Sequence, residues 1–217
     1  MPETQKDIYY ISAETNAQAL ASPHLEGFKS KKVPVLIMTD AIDQFWLPMV
    51  GSFKEKKFTS ITQGQINLDE LDAKNKDKKK DDKSEKEKQD KEYVDLVAQL
   101  KVVLGDQVKD IRLSSKLTDS PVCLVADEGD MDIAMEQLMA QRDTNYKGAP
   151  RILEINGDHS LIKNMKSLLS KKEDNDLVSD AGTLLFEQAR LMEGKMPADP
   201  AQFSKIMNQF LLKAIPN

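Results

Sequence analysis

Cysteine occurs once in these 217 residues, at Cys123, tryptophan once, at Trp46, and histidine twice, at His24 and His159. A single cysteine rules out an intrachain disulfide and suits a reducing compartment. Two histidines and one cysteine without ligand spacing argue against a structural zinc site. No apolar run approaches the ~18 residues needed to span a membrane, and the N-terminus has no charged-then-apolar leader. The nine glycines form neither a phosphate-binding loop nor a strand-Gly-x-Gly-x-x-Gly-helix pattern. A net charge of −5, with no basic face, makes nucleic acid a poor partner. There is no internal repeat.

What is abundant is charge, and it is concentrated. Residues 69–92 hold nine Lys and ten Asp or Glu. Outside that stretch about a quarter of the residues are charged, an ordinary globular value. The chain therefore reads as two folded blocks joined by a solvated linker. The expected boundaries are a small α/β unit at 1–66, a charged linker at 67–91 and a second domain at 92–217.

Ile8–Ile11 is β-rich and reads as a strand. Ser12 can cap a short helix over Ala13–Leu20, and Ser22-Pro23 restarts a helix with Ser as cap and Pro at its first position. That helix should end at the Lys29–Lys32 cluster. Val33–Met38 has the pattern of a strand covered on both faces. Thr39 or Asp40 can cap the next helix, which carries Ile42, Phe45, Trp46 and Met49. Strand, helix, strand, helix in about 50 residues suggests a small parallel-sheet unit.

Beyond the linker, Tyr93, Leu96, Val97, Leu100, Val103 and Leu104 mark one helical face ending at Gly105. Asp110–Ser115, Val122–Ala126 and Arg151–Ile155 read as strands, with Thr118–Pro121 as turn residues between the first two. Asp130–Gln141 reads as a helix, and Asp158 can cap another through Leu169. Two helices close the chain, at about 176–193 and 200–213, the second opened by Asp199-Pro200.

In the first of these, Leu184-Leu185-Phe186 spans roughly 200° of helix surface, too wide for one neighbour to cover. Either the helix is sandwiched inside its own domain, or it pairs with a second copy in a four-helix bundle. The candidate interface is Leu184, Leu185, Ala189, Met192, Phe203, Ile206, Met207 and Phe210. A second stripe, Met131, Met135, Leu138 and Met139, has two readings. It is core, or it is an adaptable exposed surface, since methionine is over-used where many partners must be accommodated. Phe45 and Trp46 carry the same ambiguity. Cys123 with His159 and Ser160 could suggest a nucleophile site, but Cys123 lies in an apolar strand and Asp158 serves as a cap. A small stand-alone enzyme at Cys123 and His159 is thus the rival reading, and a dimeric scaffold a third.

Five strings, in order and at suitable separations, resemble the C-terminal part of the heat-shock protein 90 family, its bacterial type above all. They are Ile8-Tyr9-Tyr10-Ile11, Ser22-Pro23-His24-Leu25-Glu26, Val35-Leu36-Ile37-Met38-Thr39-Asp40-Ala41-Ile42-Asp43, Leu117-Thr118-Asp119-Ser120-Pro121 and Ile152-Leu153-Glu154-Ile155-Asn156. The resemblance implies an ATP-dependent chaperone of bacterial, cytoplasmic type. Residues 1–66 would end its middle segment, and residues 92–217 would be its dimerisation domain. Partly folded clients would bind at Gln44, Phe45 or Trp46 and at Met131, Met135, Leu138 and Met139. ATP and Mg would belong to a domain upstream, so no catalytic, cofactor or metal residue is expected in this chain. The ending Ala214-Ile215-Pro216-Asn217 lacks the acidic tail that tetratricopeptide co-chaperones read, so no such partner is expected. The expected fold is a small αβα unit joined by a charged linker to a mixed α/β domain. That domain would end in a helical hairpin forming a four-helix bundle in the dimer.

Overall fold

A computed structural model describes residues 5–68, 90–143, 146, 148–171 and 174–215. Most of the expected linker, residues 69–89, lies outside the described residues. The first lobe is built on β1 (Ile8–Ser12), flanked in parallel by β2 (Val35–Met38) and β4 (Lys56–Ser60). A short β3 (Ser52–Phe53) pairs antiparallel with β4, giving the order β2-β1-β4-β3. Helices α1 (Asn16–Ala21) and α2 (Glu26–Ser30), separated by a 3-10 turn at Pro23–Leu25, lead from β1 to β2, and α3 (Asp43–Val50) leads from β2 to the hairpin. Tyr9, Ile11, Ala19, Leu25, Phe28, Ile61, Ile66 and Leu68 form its core. Phe28 meets Tyr9 edge-on at 5.0 Å, a favoured aromatic geometry.

In the second lobe α4 (Val94–Leu104) precedes β5 (Val108–Leu113), β6 (Val122–Val125), α5 (Ile133–Arg142) and β7 (Arg151–Ile155). Then follow α6 (Ser160–Ser170), α7 (Asn175–Met192) and α8 (Pro200–Ala214). β7 is central, parallel to β5 and antiparallel to β6, and all five of its residues are buried. Leu96, Leu100, Leu153, Ile155, Ile162, Met165, Leu185 and Phe186 belong to its core.

Several local expectations are corrected. Ser12 caps no helix: it pairs with Met38 in the sheet, and α1 starts four residues later on Thr15, whose side chain accepts the Gln18 N–H. β2 is an edge strand with Leu36 exposed, not a strand covered on both faces. Neither Thr39 nor Asp40 caps α3. The Asp43 carboxylate instead accepts the Asp40 N–H at 3.3 Å, and Leu47 rather than Ile42, Phe45 or Met49 is the buried residue. The hairpin after α3 has no counterpart in the expectation. It turns on Lys54 and Glu55, both at positive φ, the backbone that short hairpin turns need. Residues 118–121 do bend the chain between β5 and β6, which are not sheet neighbours because β7 lies between them. His159, not Asp158, caps α6, its Nδ1 accepting the Leu161 N–H at 3.2 Å. Ser22 does cap the 3-10 turn, and Asp199 with Pro200 opens α8.

The two lobes meet along one seam. The Ala126 N–H donates to Thr62 O at 3.0 Å and the Gly64 N–H to Ala126 O at 2.8 Å. The Glu26 carboxylate accepts the backbone N–H groups of Thr118, Asp119 and Ser120 at 2.8–3.1 Å, plus the Ser120 hydroxyl. Burial alone would raise the pKa of Glu26, but these donors outweigh it and hold it below the usual carboxylate value. Gly27 lies so close to the second lobe that an added Cβ would stand 2.5 Å from Lys116 O and 2.7 Å from Leu68 Cδ1. Gly27→Ala should therefore cost about 1–3 kcal/mol, the range for overpacking. The check is a urea midpoint lowered at unchanged slope, and an unchanged midpoint would mean that the seam has slack.

Candidate functional site: the cleft between α3 and α5

The two segments expected to bind clients belong to different lobes, and the seam brings them together. One cleft, of about 130 Å³, is lined by Thr39, Asp40 and Gln44 of the first lobe and by Ala134, Gln137, Leu138 and Gln141 of the second. A neighbouring cleft of about 360 Å³ is lined by Asp43, Gln44, Leu47, Pro48 and Phe58 on one side and by Asp130, Met131, Asp132 and Met135 on the other. Such volumes suit single large side chains rather than a folded surface.

On α3, Phe45 is exposed while Trp46 is half-buried. The Trp46 indole N–H donates to Asp43 at 2.7 Å, and its ring meets Phe58 edge-on at 5.9 Å. Trp46 is thus committed to the fold, and Phe45 is the aromatic left facing solvent. On α5, Ile133 and Glu136 are the buried residues. Met131 is exposed, and Met135, Leu138 and Met139 are half-buried outside both main cores.

The underside of α5 is held by charge rather than by grease. Glu136 pairs with Arg151 of β7, both nearly inaccessible, and Arg151 also donates to Met131 O at 2.9 Å. Lys195 lies 3.5 Å from Glu136 and 3.6 Å from Glu193. Gln137 of α5 donates to Glu193 O at 2.6 Å. Burial pushes the Glu193 carboxyl up to about 7; Lys195 and Arg151 oppose the rise and Glu136 adds to it.

The expected interface residues divide between two environments. Leu185, Ala189 and Ile206 are buried inside the chain. Phe210 packs, half-buried, on the same core. Leu184 and Phe203 are half-buried, and Met192 and Met207 are exposed. Along α8, Ile206 and Phe210 face inward, while Phe203, Met207 and Leu211 recur every four residues on another face. Leu191, Leu211 and Leu212 are exposed too and were not among the expected residues. Their outward spacing along α7 and α8 was the available signal.

Cys123 and His159 do not make a nucleophile site. Cys123 is 2% exposed, its thiol lies 3.9 Å from the Glu154 carboxylate, and burial pushes it well above the usual thiol range. A thiol kept protonated is not a nucleophile. His159 spends its Nδ1 on the α6 cap. Among the described residues no group of three or more His, Cys, Asp or Glu could hold a metal ion, and no helix is long and apolar enough to cross a membrane.

Comparison with known proteins shows the family. A family model described as "Hsp90 protein" matches residues 1–216. The chain belongs to the Hsp90 family. It is 42% identical over 215 residues to "Chaperone protein HtpG" of Roseobacter denitrificans, covering 98% of this chain and 34% of that protein. The proteins of the same name from Streptomyces coelicolor and Wolbachia pipientis wMel are 38% and 37% identical. Those matches cover 95% and 98% of this chain, and 32% and 33% of the relatives. The chain thus spans about a third of the length of the Hsp90 relatives it matches.

The raised Glu193 pKa gives a pH signature. Between the free carboxylate value near 4.5 and about 7, the unfolded chain releases a proton that the folded chain keeps. Stability therefore falls as pH rises through that window. Glu193→Gln, which stays neutral, should show a smaller decline between pH 5 and pH 8 in denaturant titrations. An equal decline would place the titration elsewhere.

Proposed function

We propose that this chain is the homodimerisation and client-binding part of a bacterial, cytoplasmic chaperone. The observation that supports it is the composite cleft, in which Gln44 of one lobe and Met131, Met135 and Leu138 of the other line a shared surface. Methionine and leucine side chains at half burial can be covered by varied apolar segments without one fixed shape. Glu14, Asp40, Asp43, Asp130 and Asp132 border the two clefts, which favours client stretches mixing apolar with basic residues. Phe45, exposed on α3 next to Gln44, is the aromatic assigned to clients.

With five carboxylates against one cation, Lys57, the lining is acidic on balance, which disfavours a nucleoside triphosphate. ATP and Mg are assigned to the parts of the parent chaperone outside these residues, and hydrolysis with them. Self-association is assigned to the outward faces of α7 and α8, where Met192, Met207, Leu211 and Leu212 are exposed. The inward residues Leu185, Ala189, Ile206 and Phe210 support that face from beneath. A pair of such hairpins would form a four-helix bundle across a two-fold axis.

Two measurements test these assignments separately. Met135→Ser combined with Leu138→Ser should weaken binding of a permanently unfolded, carboxymethylated probe protein by about tenfold or more, the worth of two partly buried apolar side chains. The dimer should be unaffected, and a collapse of thermal stability would mark the stripe as core. Met207→Asp should convert a dimer to monomer in sedimentation equilibrium, because a charge left in a packed apolar interface is strongly unfavourable. A wild-type chain that is monomeric across a hundredfold concentration range would remove the dimer assignment.

A further inference from the structure

Helix α5 has ten residues and buries only Ile133 and Glu136. A helix so short is marginal by itself, so its start matters more than usual. Its N-cap is Asp132, whose Oδ1 accepts the Ala134 N–H at 2.9 Å. The other carboxylate oxygen, Oδ2, accepts the Ser60 hydroxyl at 2.5 Å and the Thr62 hydroxyl at 2.8 Å. Both hydroxyls come from the first lobe, and Ser60 and Thr62 are buried. The next residue, Gln63, donates its side-chain amide to Asp130 O at 2.6 Å, with longer contacts to the carbonyls of Glu128 and Asp127. Gln63 also bridges to Ala126 in parallel β fashion. The loop leading into α5 is therefore shaped largely by three first-lobe residues within one four-residue span, Ser60, Thr62 and Gln63. The second lobe adds Lys109 on Asp127 and Asp130 and Arg151 on Met131 O.

We propose that Ser60–Gln63 of the first lobe is the positioning element of α5, so that the helix keeps its order only while the two lobes stay in contact. A carboxylate that both caps a helix and receives two hydroxyls from another lobe links helix formation to lobe contact. If the lobes part, Asp132 loses two buried donors and the loop loses the Gln63 amide, while the ladder bonds that join β5, β7 and β6 lie wholly within the second lobe. The coupling itself does not depend on clients binding α5. If they do, as proposed above, lobe contact sets whether the apolar face of α5 is presented as a helix.

The test is amide hydrogen exchange on the whole chain carrying Ser60→Ala and Thr62→Val, which remove the hydroxyls with little change in shape. The expected result is exchange about tenfold faster across residues 134–142, the scale of a lost cap, with β5 and β7 unchanged. Exchanging the two residues, Ser60→Thr with Thr62→Ser, keeps both hydroxyls and should restore protection. Unchanged exchange in α5, or equal acceleration in β5 and β7, overturns the proposal. Should the double variant fail to fold, Gln63→Leu is read in the same way. Since no client is present, a failure of the client assignment leaves this result intact, and the reverse also holds.

Discussion

One buried carboxylate carries the junction between the lobes. Glu154, the fourth of five residues in β7, accepts two hydrogen bonds from Arg112 at 2.8 and 3.0 Å and one from Ser114 at 2.9 Å, and lies 3.8 Å from the Lys116 ammonium. Lys116 and Glu154 are almost wholly out of water. Burying such ions is unfavourable unless each is fully satisfied. They are satisfied across the seam, because Lys116 donates to Ile61 O at 2.9 Å, Arg112 to Gly64 O at 3.0 Å, and neighbouring Ser115 to Ile66 O at 3.1 Å. The second lobe supplies the charge and the first lobe supplies the carbonyls. Taking away one partner strands a buried charge, which typically costs about 3–5 kcal/mol.

That constraint explains why the surface between α3 and α5 exists at all. Neither helix buries much. α3 is anchored by Leu47 and by the Trp46 contact with Phe58, and α5 by Ile133 and by the Glu136–Arg151 pair. Their apolar residues stay partly open because neither lobe alone folds over them. The seam sets the distance between the two helices, and the clefts are what remains. Beside this cluster Glu26 grips three successive backbone N–H groups of the second lobe, adding a further set of bonds across the seam.

The sequence was most legible where chemistry is local. Arg151–Ile155 reads as a strand and is one, and Ser22-Pro23 and Asp199-Pro200 start helical turns as their chemistry dictates. Periodicity located α4, α7 and α8 to within a residue or two. It did not tell which apolar stripe of α7 and α8 faces the chain's own core, because Leu185 and Leu184 look alike until a partner is placed. The cap of α6 falls one position past the residue type that favours it, on His159 rather than Asp158. Least legible were the bonds that hold the lobes together. Glu26 meets residues more than 90 positions away, and Ser60 meets Asp132 across 72, separations at which a sequence carries no local signal. Phe45 and the methionine stripe stand out by residue type and by resemblance, and Gln44 by resemblance alone, while the meeting of Gln44 with Met131, Met135 and Leu138 around two clefts is visible only in three dimensions.

The proposed composite surface would hold one client by both lobes at once. Placing a benzophenone photo-crosslinker at position 45 in one variant and at position 138 in another, each incubated with the same unfolded probe protein, tests it most directly. The account predicts crosslinks from both positions, each abolished by competing unlabelled probe. Crosslinks from only one position, whatever their strength, would contradict a composite client surface.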